Sequence, residues 1–201
     1  MGAGRATNGA QPAPAVAVVG LGNPVRRDDG FGLRVADEVE RLLQAKPLQG
    51  VQVLRSFRAG FELLDLLSGF SHAVIVDCLE VPRPKPGRVR RLSLRRVAGS
   101  ARLTGQHEIS IFEAFEFARR LGIAMPTTVV LRAVEAADTL TFSEEMSPEV
   151  AAAVGPLARE VLRIASEWQR PRASSARRES GQRRAAAAGP STRRDPRIGY
   201  T

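Results

Sequence analysis

The chain has 201 residues, 43% of them hydrophobic, which suits one α/β domain with a core of its own. Its single cysteine, Cys78, excludes an intrachain disulfide framework and a zinc site built from cysteines, and fits a reducing compartment. The net charge of +9 comes mostly from one end: Arg170 to Thr201 holds nine arginines against Glu179 and Asp195, leaving 21 basic and 19 acidic residues elsewhere.

Residues 1–14 lack the apolar centre of a signal peptide and read as a disordered leader. No apolar run approaches the length that spans a bilayer, so a cytoplasmic protein without a membrane partner is expected. The first element is the apolar, β-branched run Val16–Val19, the pattern of a parallel strand buried on both faces. It breaks into a loop with Gly20, Gly22, Asn23 and Pro24, and then two adjacent carboxylates, Asp28 and Asp29, precede an amphipathic helix over Gly30–Ala45. Asp37 and Arg41 are spaced to pair on the helix's outer face. A Rossmann fingerprint fails, because Val25 stands where the third small residue is needed; a P-loop fails for want of Gly-Lys-Ser/Thr.

A second strand follows at Val51–Phe57, then a turn at Arg58–Gly60 and a short helix over Phe61–Leu67. His72–Cys78 is the most strand-like run, reading as a central strand that ends on Asp77. Prolines 82, 84 and 86 make an extended loop, and Val89, Leu92 and Leu94 give a basic strand near an edge. Thr104–Gln106 signals a turn, which places His107 near the start of a helix ending at Gly122. Thr127–Val134 is the last strand. Ser147 at the N-cap and Pro148 at the first position open the last helix, Glu149–Trp168. The stretch from residue 170 to 201 is rich in Arg, Ala, Ser, Pro and Gly and cannot build a core, so it reads as a disordered tail. It has no aromatic residue for base stacking before Tyr200, and no specific nucleic-acid partner is expected.

The order β-α-β-α-β-β-α-β-α predicts an α/β domain over 15–169 with a mostly parallel five-stranded sheet and helices on both faces. Ligands bind such sheets beyond the carboxyl ends of the strands. Right-handed crossovers bring Asp29 and Asp77 to that edge, and His107 arrives from a later loop. Two carboxylates and an imidazole suit nickel, zinc, cobalt or manganese. The same residues also have ordinary uses: Asp28 or Asp29 as a helix cap, Asp77 as a solvated rim residue, His107 as a helix-start residue without a ligand role.

GLGNP at Gly20–Pro24 resembles the opening of the peptidyl-tRNA hydrolases, but the Tyr and Thr-Arg-His-Asn expected next are missing. The longer pattern GLGNPxxxDDGxG, VIVDC at residues 74–78, TGQHEISIFEAFEFARRLG at 104–122 and SPEVAAAVGPLAREVL at 147–162 together resemble the hydrogenase maturation endopeptidases. Members of that family trim the C-terminal extension from the large-subunit precursor of nickel–iron hydrogenases. The resemblance implies that Asp29, Asp77 and His107 contact nickel supplied by or shared with the precursor, and that these three carry catalysis. Asp29 stands where some members have glutamate. Gly60 is a candidate for docking the extended C-terminal peptide, because backbone approaches closely there. Two other readings stay open: an RNA-directed hydrolase of the peptidyl-tRNA type, and a noncatalytic nickel-binding maturation chaperone.

Overall fold

The protein is described by a computed structural model over residues 15–57, 60–92 and 111–170. Five strands form one sheet: β1 (Val16–Leu21), β2 (Val51–Ser56), β3 (His72–Leu79), β4 (Val89–Leu92) and β5 (Thr128–Glu135). The spatial order is β2-β1-β3-β5-β4. β2, β1, β3 and β5 run parallel, and β4 pairs antiparallel with β5 at the edge. The described residues also hold four α-helices: α1 (Phe31–Ala45), α2 (Glu62–Leu67), α3 (Ile111–Leu121) and, after the last strand, α4 (Pro148–Gln169). The described residues belong to one unit that ends at Arg170. The expected leader and tail lie outside the described residues, and so do His107 and Leu94.

Strand alternation sorts the core into two layers. Val18, Val74, Val76 and Cys78 face α1 and α4, meeting Phe31, Val35, Val39, Leu157 and Val161. Ala17, Val19, Ile75 and Leu79 face the other way, onto Leu63 and Leu67 of α2 and Ile111 of α3. The middle strands β1 and β3 are therefore apolar on both faces, as a parallel sheet under two helix layers requires.

Each helix boundary has a local cause. Gly122 takes a φ of +69°, its N–H donates to the Arg119 carbonyl, and Ile123 N–H donates to Ala118, which closes α3 in a Schellman motif. Pro148 stands in the first turn of α4 as expected, but the Ser147 side chain makes no capping bond; its backbone N–H is used elsewhere. The Asp37–Arg41 pair does not form. Arg41 bonds Glu38 at 2.7 Å, and Asp37 receives Arg55 from β2 at 2.9 Å, because the adjacent strand brings a guanidinium within reach of that helix face.

Candidate active site

The site is built by the chain leaving β1. Leu21 ends the strand, and a four-residue 3-10 turn, Arg27–Gly30, precedes α1. The start of α1 then presses onto the strand ends. A Cβ on Gly32 would overlap the carbonyl oxygens of Leu21 and Val76, and one on Gly22 would overlap the carbonyl oxygen of Asp29. Gly22 also has a φ of +138°, which disfavours a side chain independently. Glycine at these two positions lets the turn settle directly over the carboxyl ends of β1 and β3. Asp29 is then held beside Asp77.

Asp77 is 1% exposed and lies on the same face of β3 as Ile75 and Leu79. One carboxylate oxygen, Oδ1, accepts the Cys78 N–H at 2.8 Å; the other, Oδ2, is buried without a hydrogen-bond partner. Burial, opposed by the Cys78 N–H and reinforced by the nearby Asp29 charge, pushes the Asp77 carboxyl up to about 7. Asp29 is partly buried, and its carboxyl is also raised. Burial is the main cause; the Asn23 N–H and Arg26 hold it down, and Glu80 pushes it up. Glu80 lies just past β3 and bonds the Thr139 hydroxyl. Two acids with raised affinity for protons, Asp77 feeling the charge of Asp29 and Asp29 that of Glu80, face the carboxyl edge of the sheet.

The two acids supply oxygen donors for a divalent ion, and the free Oδ2 of Asp77 suits a cation or a proton. They are an incomplete cage: among the described residues no group of three or more His, Cys, Asp and Glu side chains is disposed to hold a metal. Such a pair fits an ion whose other ligands come from elsewhere. The structure thus brings together two of the three residues singled out from sequence, and the third, His107, lies outside the described residues.

Cys78 is the neighbour of Asp77 but points to the opposite face, among the residues that meet α1 and α4. Its thiol is buried, and burial followed by the charges of Asp77 and Asp29 drives its pKa far up. It stays protonated, so it has no nucleophilic character. Gly60 adopts a φ of +87° at the entry to α2. Next to it Phe61 stacks edge-on against Phe117, with ring centroids 5.0 Å apart. They border an open groove of about 530 Å³ lined by Phe61, Phe112, Phe117, Glu113, Glu116 and Arg120.

Sequence reasoning missed two acids. Asp28, read as a possible helix cap, is completely buried and reaches across to the loop between β5 and α4. Its Oδ2 accepts the N–H groups of Ala137 at 2.8 Å and Asp138 at 2.9 Å, and its Oδ1 accepts that of Ser147 at 2.7 Å. Glu80 was also overlooked. Its only signal was position: it lies three residues beyond Asp77, just after the strand end.

Comparison with known proteins agrees with this architecture. A family model described as hydrogenase maturation protease matches residues 33–164, a stretch that contains Asp77 and position 107 but begins after Asp29. The chain is 25% identical over 146 residues to the hydrogenase expression/formation protein HupD of Thiocapsa roseopersicina, covering 71% of this chain and 64% of that protein. The chain thus spans less than two thirds of that relative's length. It is 26% identical over 156 residues to HupD of Bradyrhizobium diazoefficiens, covering 76% and 79%. The fold is similar to that of the hydrogenase maturating endopeptidase HybD from E. coli, with a TM-score of 0.63, 22% identity, and 76% and 92% of the two chains covered. It is also similar to that of the [NiFe] hydrogenase maturation protease HycI from Thermococcus kodakarensis KOD1, with a TM-score of 0.60, 20% identity, and 77% and 94% covered. The family model spans more than half of the sequence, and the chain belongs to the hydrogenase maturation proteases.

Proposed function

We propose that this protein is an endopeptidase that removes the C-terminal extension from the large-subunit precursor of a nickel–iron hydrogenase after nickel has been inserted. The observation that carries the reading is the pairing of Asp29 with Asp77 at the carboxyl edge, one oxygen of Asp77 being buried and unclaimed. Two carboxylates are too few to hold an ion alone but are well suited to complete the coordination of one that the precursor brings. Nickel is then part of the substrate, and its presence reports that the precursor is ready. In that position it polarises the scissile carbonyl or acidifies the attacking water. His107 is the expected third contact.

The protein's own residues do the rest. Asp29, whose proton affinity burial raises while no ion is present, gives up that proton as it meets the incoming ion. The extended C-terminal segment passes Gly60 and reaches the aromatic groove beside Phe61. The assay is the mobility shift of the precursor on a gel, with and without nickel loading, in the cytoplasmic conditions the reading implies. His107→Ala, Asp29→Asn and Asp77→Asn should each abolish the shift, whereas Cys78→Ser should still cleave. A dead Cys78→Ser beside an active His107→Ala would overturn the metal-directed reading. A wild-type protein that binds the loaded precursor without cutting it would instead mark a maturation chaperone.

A further inference from the structure

We propose that Asp28 is a positioning residue for this site: it holds Asp29 against Asp77 by pinning the 3-10 turn to both ends of the loop between β5 and α4. The proposal rests on the reading of Asp29 and Asp77 as the reactive pair. A 3-10 helix has three residues per turn, so consecutive side chains leave it about 120° apart. Asp28 therefore points away from Asp29, and what it grips fixes the turn on which Asp29 stands. It grips backbone: the amides of Ala137 and Asp138 at one end of the loop and of Ser147 at the other. The Asp28 N–H returns a bond to the Asp138 carbonyl at 3.1 Å. Three further contacts tie that loop to the turn and to the residues on either side of it: Arg27 to Asp138, Ser143 N–H to the Val25 carbonyl, and Arg34 to the Glu144 carbonyl. On the opposite side Gly22 abuts the Asp29 carbonyl. The backbone of Asp29 is thereby held from both directions.

The chemistry of the grip requires an aspartate. Three N–H groups converge on one carboxylate, and only an acceptor-only group takes all three. An asparagine would turn its NH2 towards at least one of those donors. A glutamate carries one more methylene in a site with no exposed surface.

The test is steady-state cleavage of the nickel-loaded precursor by Asp28→Asn, at a temperature where circular dichroism shows the variant fully folded. Backbone amide exchange at Ala137, Asp138 and Ser147 is measured alongside. The expected result is faster exchange at all three amides and a kcat lowered roughly 10- to 100-fold, the scale of an ångström-size misplacement, with KM within about twofold of wild type. Ser147→Pro is the second variant. Ser147 already has a φ of −57°, which proline adopts, but the ring Cδ takes the place of the N–H that points at Asp28 Oδ1 2.7 Å away, so the substitution both deletes one of the three donors and pushes on the carboxylate. It should lower kcat in the same direction. A folded Asp28→Asn, or a folded Ser147→Pro if the first does not fold, that cleaves at the wild-type kcat overturns the proposal. Wild-type protein that leaves the precursor uncut refutes the peptidase reading itself, a separate outcome.

Discussion

Asp77 holds a carboxyl whose proton leaves only near pH 7, while in the unfolded chain it leaves near 4. Below pH 4 both states are protonated and the residue has no effect on stability. As the pH rises towards 7 the unfolded chain loses this proton first, so stability falls, and above 7 the loss is complete. The difference is on the order of 4 kcal/mol. Asp77→Asn keeps an oxygen for the Cys78 N–H but places an amide donor where Oδ2 had no partner, at a cost of about 1–3 kcal/mol. The removed charge outweighs the added donor at pH 8 and not at pH 5. Urea unfolding should therefore find the variant more stable than wild type at pH 8, with the advantage gone or reversed at pH 5. A variant destabilised by the same amount at both values would show that Asp77 is ionised throughout. The position of Asp77 at a strand end was legible in the sequence, because the apolar run ahead of it is continuous. The partners of Asp28 were not: they lie 109 to 119 residues away and are backbone amides, which no side-chain pattern announces.

At the scale of elements, the order of strands and helices follows from apolar periodicity, and β4 is at the edge as its arginines suggested. What periodicity does not encode is which neighbour a surface charge meets. Asp37 turned to Arg55 because β2 lies alongside α1, a tertiary fact that helical spacing omits. Helix α4 carries two residues that oppose its own conformation, Gly155 and the exposed Pro156. A Cβ at Gly155 would meet the Arg159 guanidinium, Nη1 at an ordinary 3.5 Å and Nη2 at 4.0 Å. Gly155→Ala should stabilise by about 0.5–1 kcal/mol. Pro156→Ala should add more, since an interior proline costs about 3 kcal/mol relative to alanine. Differential scanning calorimetry should rank the melting temperatures wild type, Gly155→Ala, Pro156→Ala in rising order. The reverse order would mean that α4 needs its proline to bend against the sheet.

For the whole molecule, the separation of a near-neutral core from an arginine-rich end makes a simple prediction. Removing the chain from about Pro171 should leave cooperative unfolding and precursor cleavage nearly intact, because the composition beyond it cannot form a core. Loss of either, in thermal unfolding or the gel assay, would show that this stretch packs or holds substrate. The sheet order has another consequence, in time rather than in space. The outer side of β3 is closed only by β5, which pairs His72 with Thr128 across 56 residues of chain. During synthesis the most apolar strand therefore waits with one edge uncovered until the second half of the domain is made. Pairings this distant fold slowly, and ribosome-bound chains that stop before Thr128 should be the form that chaperones retain.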